Sequence, residues 1–356
     1  MTASPRLALV VPAHRAAGTI EVGLRAILGG SLRPDELVVV DDASPDDTRA
    51  RAEALGVRVL VRATNGGPSA ARNTGWRATT APLVAFVDAD VELAPDALAR
   101  LVAALGDPTV MGANGILSAE VPAETPPVVL PQASSEGAEG PRTEVTRFVH
   151  ASLHYQHLQH GARVASAFTS LCVFRREALE RIGGWDERAV SRYADDVATR
   201  WVLPPGAIAF VPGATGWHHK RVGFGGLVKH RRNVGVHFVG SLVDHRAAAG
   251  ARPGSVLLHR RYPVNTVLAA ASLPALLAGA ALPPVGGPVL AGLGAAFIVN
   301  NADFARFVRV RDGRRAALHA LALTAAESYA YAGGVALGVA CVVSGALLQG
   351  RSRVRP

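Results

Sequence analysis

Through the first quarter of the chain, apolar residues come in short, nearly unbroken runs, and each run ends at a polar or turn-forming residue. Leu7–Val11 stops at Pro12, Leu37–Val40 at Asp41-Asp42, Val57–Val61 at Arg62 and Leu83–Val87 at Asp88. Runs of this length without polar alternation read as strands buried on both faces. Helical segments separate them. An amphipathic stretch at about 18–30 closes on Gly29-Gly30, Ser44-Pro45-Asp46-Asp47 offers a cap and a first-turn proline, and Gly66-Gly67-Pro68 opens a helix at about 68–79. Such β-α-β-α alternation predicts a doubly wound parallel sheet, whose ligands bind outside the carboxyl ends of the strands. Pro12, Asp41, Asp88 and Asp90 all fall at those ends.

The second half follows another pattern. Tyr262–Ala302 is 41 residues without a charge, with Pro283, Pro284, Gly286, Gly287 and Pro288 near its middle. That is too long for one buried soluble helix and about right for two membrane spans, at roughly 263–282 and 286–302. A third span is expected at about 331–349. Before them, residues 222–246 mix Lys229-His-Arg-Arg232 with Val234, Val236, Phe238, Leu242 and Val243, as in an amphipathic helix lying on a membrane. The chain thus divides into 1–217, a basic segment 218–261 and an apolar end 262–356.

Charge sharpens this division. The total is +9, but residues 1–217 sum to −4, residues 218–261 to +8 and residues 303–356 to +5. Basic residues beside an apolar stretch point to anionic lipid headgroups rather than nucleic acid, for which no motif is present. Arginines 260, 261, 306, 309 and 311 place both outer ends of the hairpin in the cytoplasm, predicting a multi-pass protein of the cell membrane with a cytoplasmic first domain. Cys172 and Cys341 lie too far apart in sequence for a disulfide framework or a zinc pattern. The first turn, Pro12-Ala-His-Arg-Ala-Ala-Gly18, lacks the glycine spacing of a dinucleotide site.

Asp88-Ala-Asp90 is the most suggestive chemistry. In an extended chain the two carboxylates share a face, which suits Mg²⁺ or Mn²⁺ with positions left for substrate phosphates. A strand end followed by an aspartate cap for a helix near Pro95 would read the same way. Residues 118–146, rich in Pro, Glu and Ala, are expected to be a mobile loop over the site or an insertion. His150, His154, His157 and His160 share one face of a helix at 147–163, as a polar surface or a metal site.

The chain carries, in order, Val10-Val-Pro-Ala-His14, Glu21, Val38-Val-Val-Asp-Asp-Ala-Ser44, Asn65-Gly-Gly-Pro-Ser-Ala-Ala-Arg-Asn-Thr-Gly75 and Phe86-Val-Asp-Ala-Asp90, then Phe174-Arg-Arg-Glu-Ala-Leu179, Gly183-Gly-Trp-Asp-Glu187, Tyr193-Ala-Asp-Asp196 and Trp217-His218. Together these motifs resemble glycosyltransferase family 2, of GT-A fold. The resemblance covers roughly 6–235. It implies a nucleotide-diphospho-sugar transferase domain of Rossmann-like α/β type, followed by the interfacial helix and the transmembrane helices. By the same resemblance Pro12, His14, Glu21 and Asp41 line the nucleoside pocket, and Arg72 and Asn73 sit by the donor sugar and phosphates. Asp88, Asp90 and His218 hold the metal. Asp196 is the general base, with Asp195, Gly184, Trp185 and Asp186 on the acceptor side; Trp185 either stacks on a sugar or packs in the core. Family members commonly carry a further acidic residue two positions past the base, where this chain has Ala198.

The expected reaction is an inverting, metal-dependent transfer from a UDP- or GDP-sugar to a hydroxyl of a lipid-linked or glycolipid acceptor. A polyprenyl-phosphate glycosyltransferase, in which a phosphate oxygen attacks and no base is needed, is one rival. A catalytically silent membrane scaffold of the same fold is another.

Overall fold

The structure is a computed structural model that describes residues 6–119, 143–187, 199, 202–248, 261–281 and 283–344. Two compact units make up the chain, one from residues 1–141 and 156–221 and one from 142–155 and 222–356. Residues 142–155 therefore belong with the second unit, and the division after the first falls at Arg221.

The first unit is built on a mixed sheet. Its early elements are β1 (Leu7–Ala13), α1 (Ile20–Gly29), β2 (Glu36–Asp41), α2 (Thr48–Glu53), β3 (Arg58–Val61), α3 (Pro68–Arg77) and β4 (Leu83–Val87). β1 pairs in parallel with both β2 and β4, and β3 adds beyond β2. Every residue of β1 and of β4 is buried, as continuous apolar runs covered on both faces require. Then come β5 (Val91–Leu93), α4 (Ala97–Ala104), β6 (Gly112–Ser118), α5 (Glu144–Leu158), β7 (Arg163–Val164), β8 (Leu171–Arg175), α6 (Arg176–Ile182) and β9 (Ile208–His218).

The full order is β3-β2-β1-β4-β8-β6-β9-β5, with β7 on β9. The parallel pairing expected from the alternation holds for β1–β4 and returns between β6 and β9, while β5, β7 and β8 run antiparallel to their neighbours. β8 runs antiparallel between β4 and β6, because its chain enters from the end at which β4 finishes. This direction brings Ser170, just before β8, beside Asp88, just after β4: the Asp88 amide donates to the Ser170 carbonyl at 3.2 Å. α2 begins at Thr48, later than the Ser44-Pro45 signal suggested. Ser44 is instead used in the turn after β2, where its amide donates to Asp41 Oδ1 at 3.0 Å.

The core of this unit joins Val10, Val38, Val40, Phe86, Cys172, Phe174 and Trp185. α3 lies so close to the sheet that a side chain at Gly75 would collide with Val10 and Val40.

The second unit is helical: α7 (Phe224–Ala248), α8 (Arg261–Ala281) and α9 (Pro283–Val343), with the first part of α5. α9 is two helical arms meeting at Gly313, whose φ of 90° and ψ of 175° only glycine adopts readily. α9 is long and apolar enough to cross a membrane, and most of its most apolar window is exposed. α7, expected as an amphipathic helix at a membrane surface, packs along the second arm of α9. Side chains at Gly235, Gly334 or Gly338 would collide with the backbone of the facing helix. Close backbone approach through small residues is the usual way helices associate where apolar burial gives no preference. The expected hairpin is α8 against the first arm, joined by Asn265 and Asn301, each donating its amide to the other's carbonyl at 3.0 and 2.9 Å. Of the third expected span, residues 345–349 lie outside the described residues, as do arginines 351, 353 and 355.

Candidate active site

β4 delivers Asp88, Ala89 and Asp90 into a tight turn, closed by the Val91 amide on the Asp88 carbonyl at 3.0 Å. The chain here turns instead of running extended, and the two carboxylates have different partners. Asp88 accepts from Arg72 Nη2 at 2.7 Å and from Ser170 Oγ at 2.6 Å. Asp90 faces His218, with Oδ2 3.1 Å from Nε2. Nor is Asp90 a helix cap, since β5 intervenes and α4 starts at Ala97, after Asp96.

The pairing of β5 with β9 sets the two histidines on opposite faces. His218 stands opposite Val91 in register, and successive strand residues point to opposite faces. The register alone would set His218 on the face of Val91; Asp90 lies before β5, in the turn, and meets His218 from there, while His219 Nε2 lies 2.8 Å from Glu92 and its amide donates to the Asp90 carbonyl at 2.7 Å. Burial pushes the Asp90 carboxyl up, but the charge and hydrogen bond of His218, helped by Lys220, outweigh it and hold Asp90 well below the usual carboxylate range.

A second group of residues lines the ends of β1 and β2. Pro12 is buried, and His14 is exposed with Nδ1 2.8 Å from the Asp42 carbonyl oxygen. Arg15 and Ala43, at φ 53° and 56°, are the non-glycine residues in the left-handed region among those described. Both sit in the loops that follow β1 and β2. Glu21 turns to α2 and pairs with Arg51 at 2.9 Å.

Asp41 and Asp42 are both buried but do different things. Asp41 orders the turn through Ser44, whereas Asp42 binds the amides of Gly66 and Gly67 at 3.0 and 2.7 Å and Arg62 at 2.8 Å. Gly67, at φ 87° and ψ 175°, precedes Pro68 at the start of α3. Asp42 thus fixes the entry to the helix that carries Arg72 and Asn73.

Asn73 is fully engaged. Its Nδ2 donates to the Trp185 carbonyl at 2.7 Å and to Glu187 at 2.6 Å; its Oδ1 accepts from Trp76 Nε1 at 3.0 Å and the Trp185 amide at 2.9 Å. It holds the Gly183-Gly184-Trp185 loop. Gly183 ends α6 at φ 75°, Gly184 continues at φ 85°, and a side chain on Gly184 would strike Asn73. Trp185 is 2% exposed, with its ring edge-on to Phe86 at 5.3 Å and Phe174 at 5.8 Å, so the core-packing alternative describes it. Asp186 follows, half-buried. Asp195 and Asp196 lie outside the described residues, as do residues 120–142 of the expected loop.

The histidine face of α5 is packed rather than solvated. His157 Nδ1 accepts from the Leu117 amide at 3.1 Å, and its ring stacks on Phe168 at 4.6 Å. In the second unit His154 stacks on Phe307 at 6.0 Å. Among the described residues no three His, Cys, Asp or Glu side chains converge as a metal cage. Asp90 and His218 are the pair with the right chemistry: two donors 3.1 Å apart match one edge of an octahedron with bonds of about 2.1 Å. Sequence reasoning missed Ser170, Asp42 and Glu92. Ser170 and Glu92 carried no signal before the strand pairings were known, and Asp42 is indistinguishable from Asp41 by pattern.

Comparison with known proteins agrees with this geometry. The sequence profile of Glycosyl transferase family 2 matches residues 8–183. The chain carries a family 2 glycosyltransferase domain. The succinoglycan biosynthesis protein ExoO of Rhizobium meliloti is 36% identical over 101 residues, 28% of this chain and 29% of that protein. The pre-mycofactocin glycosyltransferase of Mycobacterium tuberculosis is 33% identical over 184 residues, 51% of this chain and 36% of that protein. These alignments thus span about a third of the curated relatives' length. In fold, the chain is similar to a mannosyltransferase from Pyrobaculum calidifontis solved with GDP-Man and Mn²⁺, with a TM-score of 0.56, 23% identity and coverage of 91% of this chain and 88% of that one.

Proposed function

We propose that this protein is a membrane-anchored, divalent-metal-dependent glycosyltransferase that moves a sugar, with inversion, from a UDP- or GDP-sugar to a hydroxyl of a lipid-linked or glycolipid acceptor. The observation that carries the reading is the Asp90–His218 donor pair at the binding edge of a family 2 domain. A hard carboxylate oxygen and an imidazole nitrogen suit Mg²⁺ or Mn²⁺ bound with substrate phosphates filling the other positions. When bound, that cation neutralises charge building on the nucleoside-diphosphate leaving group. GDP-Man and Mn²⁺ in the Pyrobaculum enzyme are consistent with this assignment.

This chain's residues supply the rest. Asp88, held by Arg72 and Ser170, sets the turn on which Asp90 stands and presents an anchored carboxylate to the donor's sugar end. Asp41, His14 and Pro12 line the nucleoside side. Asp196, with Asp195 beside it, takes the proton of the acceptor hydroxyl as its oxygen attacks the anomeric carbon. One base and no enzymic nucleophile make the transfer a single displacement, which inverts the centre. The catalytic domain faces the cytoplasm, and α8 with both arms of α9 holds it at the bilayer, where a lipid acceptor resides.

The test is release of nucleoside diphosphate from UDP- and GDP-sugars by detergent-purified protein, with Mn²⁺ or chelator and with or without membrane lipid extract. Chelator-sensitive turnover raised by lipid is expected. Activity fully retained in chelator, or no nucleotide binding at all, would overturn the reading. Asp196→Asn separates the acceptor classes: it abolishes transfer to a hydroxyl and spares transfer to a polyprenyl phosphate.

A further inference from the structure

We propose that the elbow at Gly313 in α9 is a docking surface for the anionic headgroups of a phospholipid bilayer. The proposal rests on the membrane reading of the second unit. Between 303 and 315 the chain carries five arginines against Asp303 and Asp312. One arginine is used internally: Arg311 pairs with Asp312 and lies 5.5 Å from the centre of the Phe307 ring. Arg306, Arg309, Arg314 and Arg315 are exposed and have no hydrogen-bond or ion-pair partner among the described residues.

Packing forces them outward. Phe304 and Val308 of the first arm, and Ala317 and Ala320 of the second, are buried together with Phe148, Ala151 and Tyr155. At helical spacing this leaves 306, 309 and 310 on the free side of one arm and 314, 315 and 318 on the free side of the other. Val310 is 78% exposed and Leu318 67%, so the cationic face is interleaved with bare apolar side chains. Just before it, the first arm shows Ile298 and Val299 at 58% and 75% exposure in a stretch without charge. The surface therefore changes from apolar to apolar-plus-cationic where the helix runs into the elbow. In water this arrangement leaves apolar surface uncovered. At a lipid interface the valine and leucine sink below the headgroups, while the arginine stems run along apolar surface and the guanidiniums meet phosphate. Gly313, at φ 90°, makes the bend between the arms, and both arms bury their inner residues in one cluster, so both contribute to the outer face.

Full-length protein carrying Val310→Cys in a Cys341→Ala background, labelled with a polarity-sensitive dye, would be placed in nanodiscs of phosphatidylcholine alone or with one-third phosphatidylglycerol. Cys172 is buried and does not compete for label. The dye should report an apolar surrounding in the anionic discs only, and high salt should reverse it. Replacing Arg306, Arg309, Arg314 and Arg315 by Gln should cost about fivefold in apparent affinity for phosphatidylglycerol per position. A fourfold variant that keeps its helical circular dichroism yet loses the response supports the proposal. An equal response in both lipids, or an unchanged one in the fourfold variant while Lys229→Gln/Arg232→Gln abolishes it, overturns the elbow and leaves the membrane reading standing. Protein that stays soluble without detergent and enters neither disc overturns both.

Discussion

Both units bury polar side chains, and they spend them differently. In the sheet unit Asp42, Asn73 and Arg72 reach out to loops: Asp42 to the Gly66 and Gly67 amides, Asn73 to the backbone of Trp185, Arg72 to Asp88 after β4. In the helical unit the bonds run from one helix side chain to another, as in Asn265–Asn301, Ser272–Tyr329 and Arg231–Glu327. The backbone explains the contrast. Loops at strand ends leave amides and carbonyls without ladder partners, and buried side chains must satisfy them. A helix satisfies its own backbone, so its buried polar groups are free to join it to a neighbour. Polar burial shapes a site in one unit and holds an assembly in the other.

The largest effect that would break this contrast is in the helices. Glu327→Ala leaves Arg231, one-fifth exposed, without its carboxylate and with Tyr262 beside it, and should cost about 2–4 kcal/mol in thermal unfolding of the detergent-purified protein. Arg231→Met with Glu327→Leu should recover most of that loss; if it does not, the pair does more than join helices. Asp90→Ala should remove metal-dependent turnover by a factor of about 10²–10³, seen in nucleoside-diphosphate release across a Mn²⁺ titration, with melting temperature little changed. Asn73→Ala should lower stability by about 2 kcal/mol, since it leaves buried partners unsatisfied, and reduce turnover through the Gly184–Trp185 loop. A loss of turnover without a loss of stability would make Asn73 a donor contact instead. Smallest is Asn301→Ala, at about 0.6–1.5 kcal/mol of bundle stability and no change in soluble-donor turnover.

Much of the fold was legible because parallel strands buried on both faces leave unbroken apolar runs. β1, β2 and β4 sit within one or two residues of their expected ends. The direction of β8 was not legible, since Leu-Cys-Val-Phe reads the same either way along a sheet. The Asp88–Asp90 turn was lost for a related reason: alternation predicts facing only while the chain stays extended, and one hydrogen bond from Val91 ended that. Asp42 hid beside Asp41, and the histidines of α5 read as polar because their aromatic partners, Phe168 and Phe307, come from distant segments. That His218 and not His219 meets the Asp90 carboxylate follows from the turn before β5, which no alternation pattern shows, although the resemblance already favoured His218.

The glycine seam between α7 and the second arm of α9 bears on how the chain is assembled. Apolar contact alone gives two paired helices little reason to prefer one alignment, yet here a slide of one residue would drive a side chain into backbone at Gly235, Gly334 or Gly338. The seam thus acts as a keyed joint. Its two halves are separated by roughly a hundred residues of chain, so the key cannot engage until the second arm has been synthesised. During synthesis α7 emerges first, and its half of the joint is matched only when the second arm follows.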